Sequence, residues 1–221
     1  MIRKDCIDYD RHVSSSRRYH SDLRQERADD TRLRIRRAAR TLFSTQGFAA
    51  TTIAEVAKSA GVAPQTVYSV FGSKRGIVAA MLDDIEETSG QEDWVARIRS
   101  AHDPRAQLRL FVAWLHVFYD SSAPVLRAAL VARDDPDVGS LVAQGDTNRR
   151  NGTAELVAQW SEQRVLRAEV DRTRAAETMW LITGPEQFFR ARDFLTWSGV
   201  EYEAWLYDVL ETLMFGPEAS T

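Results

Sequence analysis

The side chains best suited to contacting nucleic acid lie close together, between Thr51 and Lys74. Within this segment Gln65, Tyr68 and Ser69 are spaced to share one face of a short helix, and Lys74 follows shortly after. Amide and hydroxyl groups exchange hydrogen bonds with base edges, whereas hydroxyl and ammonium groups bind phosphate oxygens. The segment therefore holds the residue types of a DNA-reading surface.

Two short helices are predicted to position these side chains. Thr52 and Glu55 form a capping box that starts the first helix, and Gly61 is best able to take the left-handed conformation that closes it. Pro64 suits the first turn of the second helix, where its missing N–H costs nothing. In a helix-turn-helix the second helix enters the major groove. A further helix starts near Lys74, where free N–H groups favour an anion.

This segment resembles the N-terminal DNA-binding domain of the TetR family. The resemblance rests on G-F-A-A-T-T-I-A-E-V-A-K-S-A-G-V-A-P-Q-T-V-Y-S-V-F-G-S-K, and it extends over roughly Arg32 to Asp84. It implies that phosphates are held by Thr52, Tyr68 and Lys74. It implies that bases are approached by Pro64, Gln65, Thr66 and Ser69. Ala63 departs from the family pattern, in which a serine commonly caps the recognition helix, and the missing cap costs about 1 kcal/mol.

Charge is divided unevenly along the 221 residues, whose net charge is −3. Residues 1–78 contain fifteen Lys and Arg but eight Asp and Glu, so this part carries +7 and the remainder −10. A basic head attracts phosphates, and an acidic body resists non-specific adhesion to DNA. The predicted domains are 30–78 for DNA binding and 79–221 for effector binding and dimerisation.

Residues 1–29 are predicted to form a flexible basic arm, which we expect to reach an adjacent minor groove or phosphates. Its arginines include Arg11, Arg17, Arg18, Arg24 and Arg27. Cys6 is the only cysteine, so no internal disulfide can form. No stretch approaches the ~20 apolar residues that cross a membrane, and the first residues lack a signal-peptide core. We therefore expect a cytoplasmic protein without a membrane partner.

The chain beyond Gly90 is dominated by helical periodicity, which predicts an all-α fold. The predicted helices run near Glu92 to Ser100, Pro104 to Asp120, Ala123 to Ala132, Asp137 to Gln163, Arg172 to Ala191 and Gly199 to Phe215. Gly152 is expected to interrupt the longest of them. Pro185 is expected to kink its helix near Gly184.

Aromatic side chains indicate where an effector binds. All six tryptophans lie beyond the predicted DNA-binding domain, which favours a pocket for a small apolar or aromatic molecule. The predicted contacts are Phe111, Trp114, His116, Phe118 and Trp180, with His116 as a polar group; the alternative for each is ordinary core packing. The resemblance implies an effector that changes the spacing of the two DNA-binding heads through residues 78–87.

The last predicted helix has an apolar stripe too wide for one core. Ser198 and Glu201 form a capping box at its start. The residues assigned to a homodimer interface are Tyr202, Trp205 and Val209, with core filling as the alternative. Because one recognition helix touches few bases, specific binding usually needs two half-sites and a two-fold dimer.

An enzyme is the competing class of protein, but the sequence lacks G-x-S-x-G, a phosphate loop, H-E-x-x-H and a cysteine–histidine cluster. No cofactor or metal is therefore expected. The sequence predicts a homodimeric regulator bound to a double-stranded DNA operator, acting as a repressor that a small apolar effector releases. The alternative is a constitutive DNA-binding dimer with no effector.

Overall fold

The computed structural model describes residues 8–88 and 90–215, with side chains at 23–85 and 90–215. Regular structure in these residues is helical apart from one isolated bridge between Leu166 and Phe215, which confirms the predicted all-α class. The chain divides into two compact units between Ile77 and Val78. None of the described helices combines the length and the apolarity needed to span a lipid bilayer.

The first unit is built from three helices and the start of a fourth. They are α1 (Asp8–Ala50), α2 (Ile53–Ala60), α3 (Pro64–Phe71) and α4 (Lys74–Thr88). Each contributes apolar side chains to one core, because helical spacing places them on facing stripes. The buried members include Ile35, Ala39, Phe43, Val56, Val67 and Ile77.

Arg34 on α1 fixes the end of α2. Its Nε and Nη2 donate to the Ala60 carbonyl at 3.1 and 2.6 Å, and Nη2 also donates to the Gly61 carbonyl at 3.0 Å. Gly61 adopts φ 66°, the left-handed conformation predicted for it. The guanidinium therefore satisfies carbonyls that the end of a helix leaves unpaired.

The helix α1 begins earlier than the sequence predicts. A flexible arm is expected over residues 1–29, but its described backbone, 8–29, is helical and continuous with the rest of α1. No glycine or proline occurs before Gly47, so nothing in this stretch stops the helix. Gly47 itself has φ 82° and breaks α1 near its end. The expected minor-groove contact includes Arg11, whose side chain lies outside the described residues.

The second unit contains the remainder of α4 and six further helices among the described residues. They are α5 (Gln91–Ser100), α6 (Pro104–Ala132), α7 (Pro136–Glu162), α8 (Arg172–Ile182), α9 (Pro185–Phe194) and α10 (Gly199–Met214). Trp160 is at the centre of the core: its indole N–H donates to Gln107 Oε1 at 2.7 Å, and its ring meets Phe215 edge-on. Both polar groups of this buried pair are therefore satisfied.

Three breakers behave differently from the prediction. The helix α6 continues through Pro124, where two helices are expected, because Tyr119, Ser122 and Val125 on either side are buried against the rest of the unit. Burial there offsets the hydrogen bond that proline removes. Gly152 does not interrupt α7. At Pro185 the chain forms two helices instead of one kinked helix, with Gly184 as the N-cap of α9.

Candidate functional site

The start of α2 has the geometry that its residues predict. The Thr52 hydroxyl accepts from the Glu55 amide at 3.2 Å, and the Glu55 carboxylate accepts from the Thr52 amide at 2.8 Å, so the capping box is present. The hydrogen bonds that the Thr52 amide and hydroxyl donate to its carboxylate lower the pKa of Glu55. The Thr52 hydroxyl also donates to Glu55 at 2.8 Å. A phosphate would therefore compete with Glu55 for that proton.

The outward face of α3 carries most of the residues that the resemblance assigns to DNA. Pro64, Gln65, Tyr68 and Ser69 are exposed, and half of the Tyr68 surface is open to solvent. Thr66 is half-buried, at the edge of this face. On the inner side of α3, Val67 is fully buried and anchors the helix. Ala63 makes no side-chain cap bond, as its residue type requires.

Lys74 is turned towards the protein. Its ammonium donates to the carbonyls of Phe48 and Thr51 at 2.6 and 2.7 Å and to that of Ala49 at 3.4 Å. It also lies 4.3 Å from the centre of the Phe48 ring. Burial lowers the pKa of Lys74. Its ammonium is thus bonded to the junction of α1 and α2, and the predicted phosphate contact of Lys74 stays a prediction.

Sequence spacing could not show this arrangement, because the carbonyls lie more than twenty residues earlier in the chain. Ser73 behaves as expected: its hydroxyl accepts from the Gly76 amide at 3.0 Å and caps α4. Ser73 thus caps the N-terminus of α4, and Lys74 attaches this N-terminus to the end of α1.

The second unit encloses a cavity of about 280 Å³. Its walls come from α4, α5, α6, α7 and α9. Three of the five predicted effector contacts line it, namely Phe111, Trp114 and Phe118. Their rings are in contact along α6, with centroid separations of 6.0 and 5.6 Å. Helical spacing of three and four residues predicts this shared face.

The structure does not bring His116 or Trp180 to the cavity. His116 lies two residues from Trp114, so it points to another side of α6. Its Nδ1 is 2.7 Å from a carboxylate oxygen of Glu203, and its ring fills the space beside Gly199. Trp180 lies under the guanidinium of Arg149, 5.3 Å from the ring centre.

The prediction omitted several cavity residues, among them Tyr119 on α6 and Asp146 and Arg149 on α7. Tyr119 donates to the Thr183 carbonyl at 2.6 Å, and burial raises its pKa, so it stays protonated and neutral. Arg149 forms an ion pair with Asp146 at 2.6 Å. The sequence offered one indication of these residues: Tyr119 directly follows the predicted contact Phe118.

The three residues predicted for a dimer interface differ in exposure on α10. Tyr202 is fully buried and meets the Phe188 ring edge-on at 5.1 Å, so it belongs to the core and not to an interface. The prediction failed because Tyr202 lies on the same stripe as the core residue Leu206. Trp205 is 37% exposed and Val209 is half-buried. Leu213, two turns beyond Trp205, is 41% exposed.

Residues 35–81 match the family model described as bacterial regulatory proteins, tetR family. This stretch runs from α1 into α4 and contains both α2 and α3. This part of the chain is therefore similar to the DNA-binding domain of TetR-family regulators. Groups of three or more histidine, cysteine, aspartate or glutamate residues that could hold a metal are absent from the described part of the chain.

Known transcriptional regulators are similar to parts of the chain. The transcriptional regulator TtgR of Pseudomonas putida is 38% identical over 79 residues, which are 36% of each chain. The match thus spans about a third of that relative's length. The regulator UidR of Escherichia coli (strain K12) is 28% identical over 142 residues, 62% of this chain and 68% of UidR. These relatives are transcriptional regulators and not enzymes.

Among solved structures, a transcriptional regulator from Saccharomonospora viridis in complex with choline has the same fold. The TM-score is 0.71 at 18% identity, over 86% of this chain and all of that one. At this identity the likeness concerns the fold alone.

Proposed function

We propose that this protein is a homodimeric transcriptional regulator that binds an operator in double-stranded DNA through α3 and is released by a small, largely apolar effector. We further propose that it acts as a repressor, as the TetR family resemblance implies. The exposed face of α3 carries this proposal. Gln65, Tyr68 and Ser69 point outwards above buried Val67, and no side-chain hydrogen bond holds them among the described residues.

These three groups match what major-groove recognition needs. An amide can bond bidentately to adenine, and hydroxyls bond to bases or phosphates. A helix of eight residues has room for few such contacts, so one copy reads a half-site and two copies read an operator. The base-contacting roles of Pro64 and Thr66 and the phosphate role of Thr52 belong to the same proposal.

Dimerisation is proposed to use α10. Trp205, Val209 and Leu213 recur at intervals of four residues, which places them on one side of the helix. Trp205 and Leu213 each keep more than a third of their surface exposed, so this side of α10 leaves apolar area open to solvent. A second copy packed on this side would cover them. Pairing of helices from two subunits into a bundle is the arrangement that this stripe favours.

The cavity of the second unit supports an effector. Its lining is mostly apolar, and cavities of this kind are typical small-molecule sites. A similarly folded regulator has been solved with choline, which is a property of that protein. Coupling to DNA is proposed to pass through α4, which continues without a break from Lys74 to the cavity residues Leu82 and Ile85. An effector would then shift the equilibrium between two spacings of the heads.

The first experiment is enrichment of random duplex DNA by the purified protein at near-physiological salt, followed by sequencing. A motif with two-fold symmetry is expected. The variant Gln65→Ala/Ser69→Ala should lose the enrichment, whereas the control Ser59→Ala, on an exposed position of α2, should retain it. If the folded, dimeric protein enriches no motif, the DNA-binding proposal is wrong.

A further inference from the structure

The cavity of the second unit has an aromatic wall. Phe111, Trp114, Phe118 and Tyr119 all line it from α6. The rings form a continuous series: Phe111 contacts Trp114 at 6.0 Å between centroids, Trp114 contacts Phe118 at 5.6 Å, and Phe118 contacts Tyr119 at 5.6 Å. The faces of aromatic rings carry partial negative charge and attract cations, tryptophan most strongly.

Charged side chains around the cavity do not balance. Two carboxylates are already paired: Asp146 lies 2.6 Å from Arg149, and Glu155 lies 3.3 Å from Arg99. Tyr119 adds no charge, because burial keeps it protonated. The arginines that line the cavity therefore have acidic partners of their own.

Two further carboxylates on the lining, those of Asp83 on α4 and Glu186 on α9, have no basic partner among the described residues. Both remain exposed to solvent. Glu186 also lies in the first turn of α9, where the helix dipole stabilises a negative charge. The cavity thus holds about two uncompensated negative charges beside its aromatic wall.

We propose that the effector is a small organic cation with apolar substituents, held by its positive charge between the α6 rings and the carboxylates of Asp83 and Glu186. This proposal rests on the proposed function, because it takes the cavity to be the effector site. An anionic molecule would be repelled by the two free carboxylates. A neutral molecule of the same shape would bury the same apolar surface but would gain neither attraction.

The test compares three probes of nearly equal shape on the full-length protein. They are benzyltrimethylammonium, its uncharged carbon isostere neopentylbenzene, and the anion 3-phenylpropanoate. Binding is measured by titration calorimetry and by the shift of the melting temperature. We expect the cation to bind at least about tenfold more tightly than the isostere and the anion to bind most weakly. Equal binding of the isostere, or preference for the anion, would overturn the cationic class.

Two matched double variants locate the charge effect. Asp83→Asn/Glu186→Gln should weaken the cation at least about tenfold and leave the isostere unchanged. The control Glu162→Gln/Asp208→Asn, at positions outside the cavity lining, should change the affinity for neither the cation nor the isostere. Loss of cation binding in both variants would mean that overall charge acts instead of these two residues, which would contradict the proposal.

The DNA experiment separates this proposal from the proposed function. If DNA is enriched and the cation releases it, both stand. If DNA is enriched but the neutral or anionic probe alone binds and releases it, the protein is still an effector-controlled regulator and only the cationic class is wrong. If DNA is enriched and no probe binds, the cation proposal fails while DNA binding stands.

Discussion

The proposed DNA-contacting face and the cavity are constructed in opposite ways. The face lies on α3, so eight consecutive residues supply both its exposed groups and the buried anchor beneath them. The cavity draws its lining from five helices. A site on a single helix depends mainly on local spacing, whereas an assembled site depends on every contact that packs its helices. The first should tolerate changes elsewhere in the chain better than the second.

The largest expected effect tests whether the second unit is needed for operator binding. Trp205→Glu/Val209→Glu should give monomers, because two carboxylates cannot be buried between α10 and a second copy. Operator affinity should fall about 10³-fold towards the non-specific level. Sedimentation and DNA titration measure the two effects. The control is Asp208→Ala, on the same helix. A variant that stays dimeric would disprove the α10 interface.

A smaller effect is expected from Lys74→Met, which keeps most of the stem but removes the ammonium. The carbonyls of Phe48 and Thr51 would lose their donor, so the free energy of unfolding should fall by about 1–3 kcal/mol. The dependence of DNA affinity on salt should stay the same. Lys58→Met, at an exposed site, should leave stability within about 0.5 kcal/mol. Unchanged stability with a reduced salt dependence would instead make Lys74 a phosphate contact.

Gln65→Ala tests the local site directly. It should cost about 1–3 kcal/mol of affinity for the selected operator and much less for unrelated DNA, because a base contact discriminates between sequences. Stability should be unchanged, since the side chain is exposed. Competition titrations with specific and random duplexes measure the difference. Equal losses on both would mean that Gln65 does not read a base.

The smallest effect compares the two capping boxes, Thr52 with Glu55 and Ser198 with Glu201. Hydrogen bonds from the capping residue lower the pKa of each glutamate in the folded state. The stabilisation is therefore present above the ordinary pKa and is lost as the pH falls through the lower native value. Urea unfolding should give Glu55→Gln and Glu201→Gln a lower free energy of unfolding than the unaltered protein near neutral pH. In strong acid the free energies of unfolding should converge. A gap that persists in acid would point to another cause.

Local signals in the sequence predicted local structure well. Both capping boxes, the left-handed Gly61, the uncapped Ala63 and the outward face of α3 follow from neighbours within four residues. The errors arose where distant residues decide. Tyr202, predicted for the interface, lies on the buried side of its stripe. His116 was assigned to the cavity although its position on the helix turns it towards Glu203.

The distribution of tryptophan has a practical consequence for following this molecule by its own fluorescence. All six indoles belong to the second unit, so the first unit is invisible to tryptophan emission. Two of them lie where separate events would change their surroundings: Trp114 on the cavity wall and Trp205 on the exposed side of α10, 5.7 Å from Trp197. Tryptophan emission from the unaltered protein would therefore report both occupancy of the cavity and association of the subunits. Replacing Trp205 by phenylalanine would leave an optical signal weighted towards the cavity.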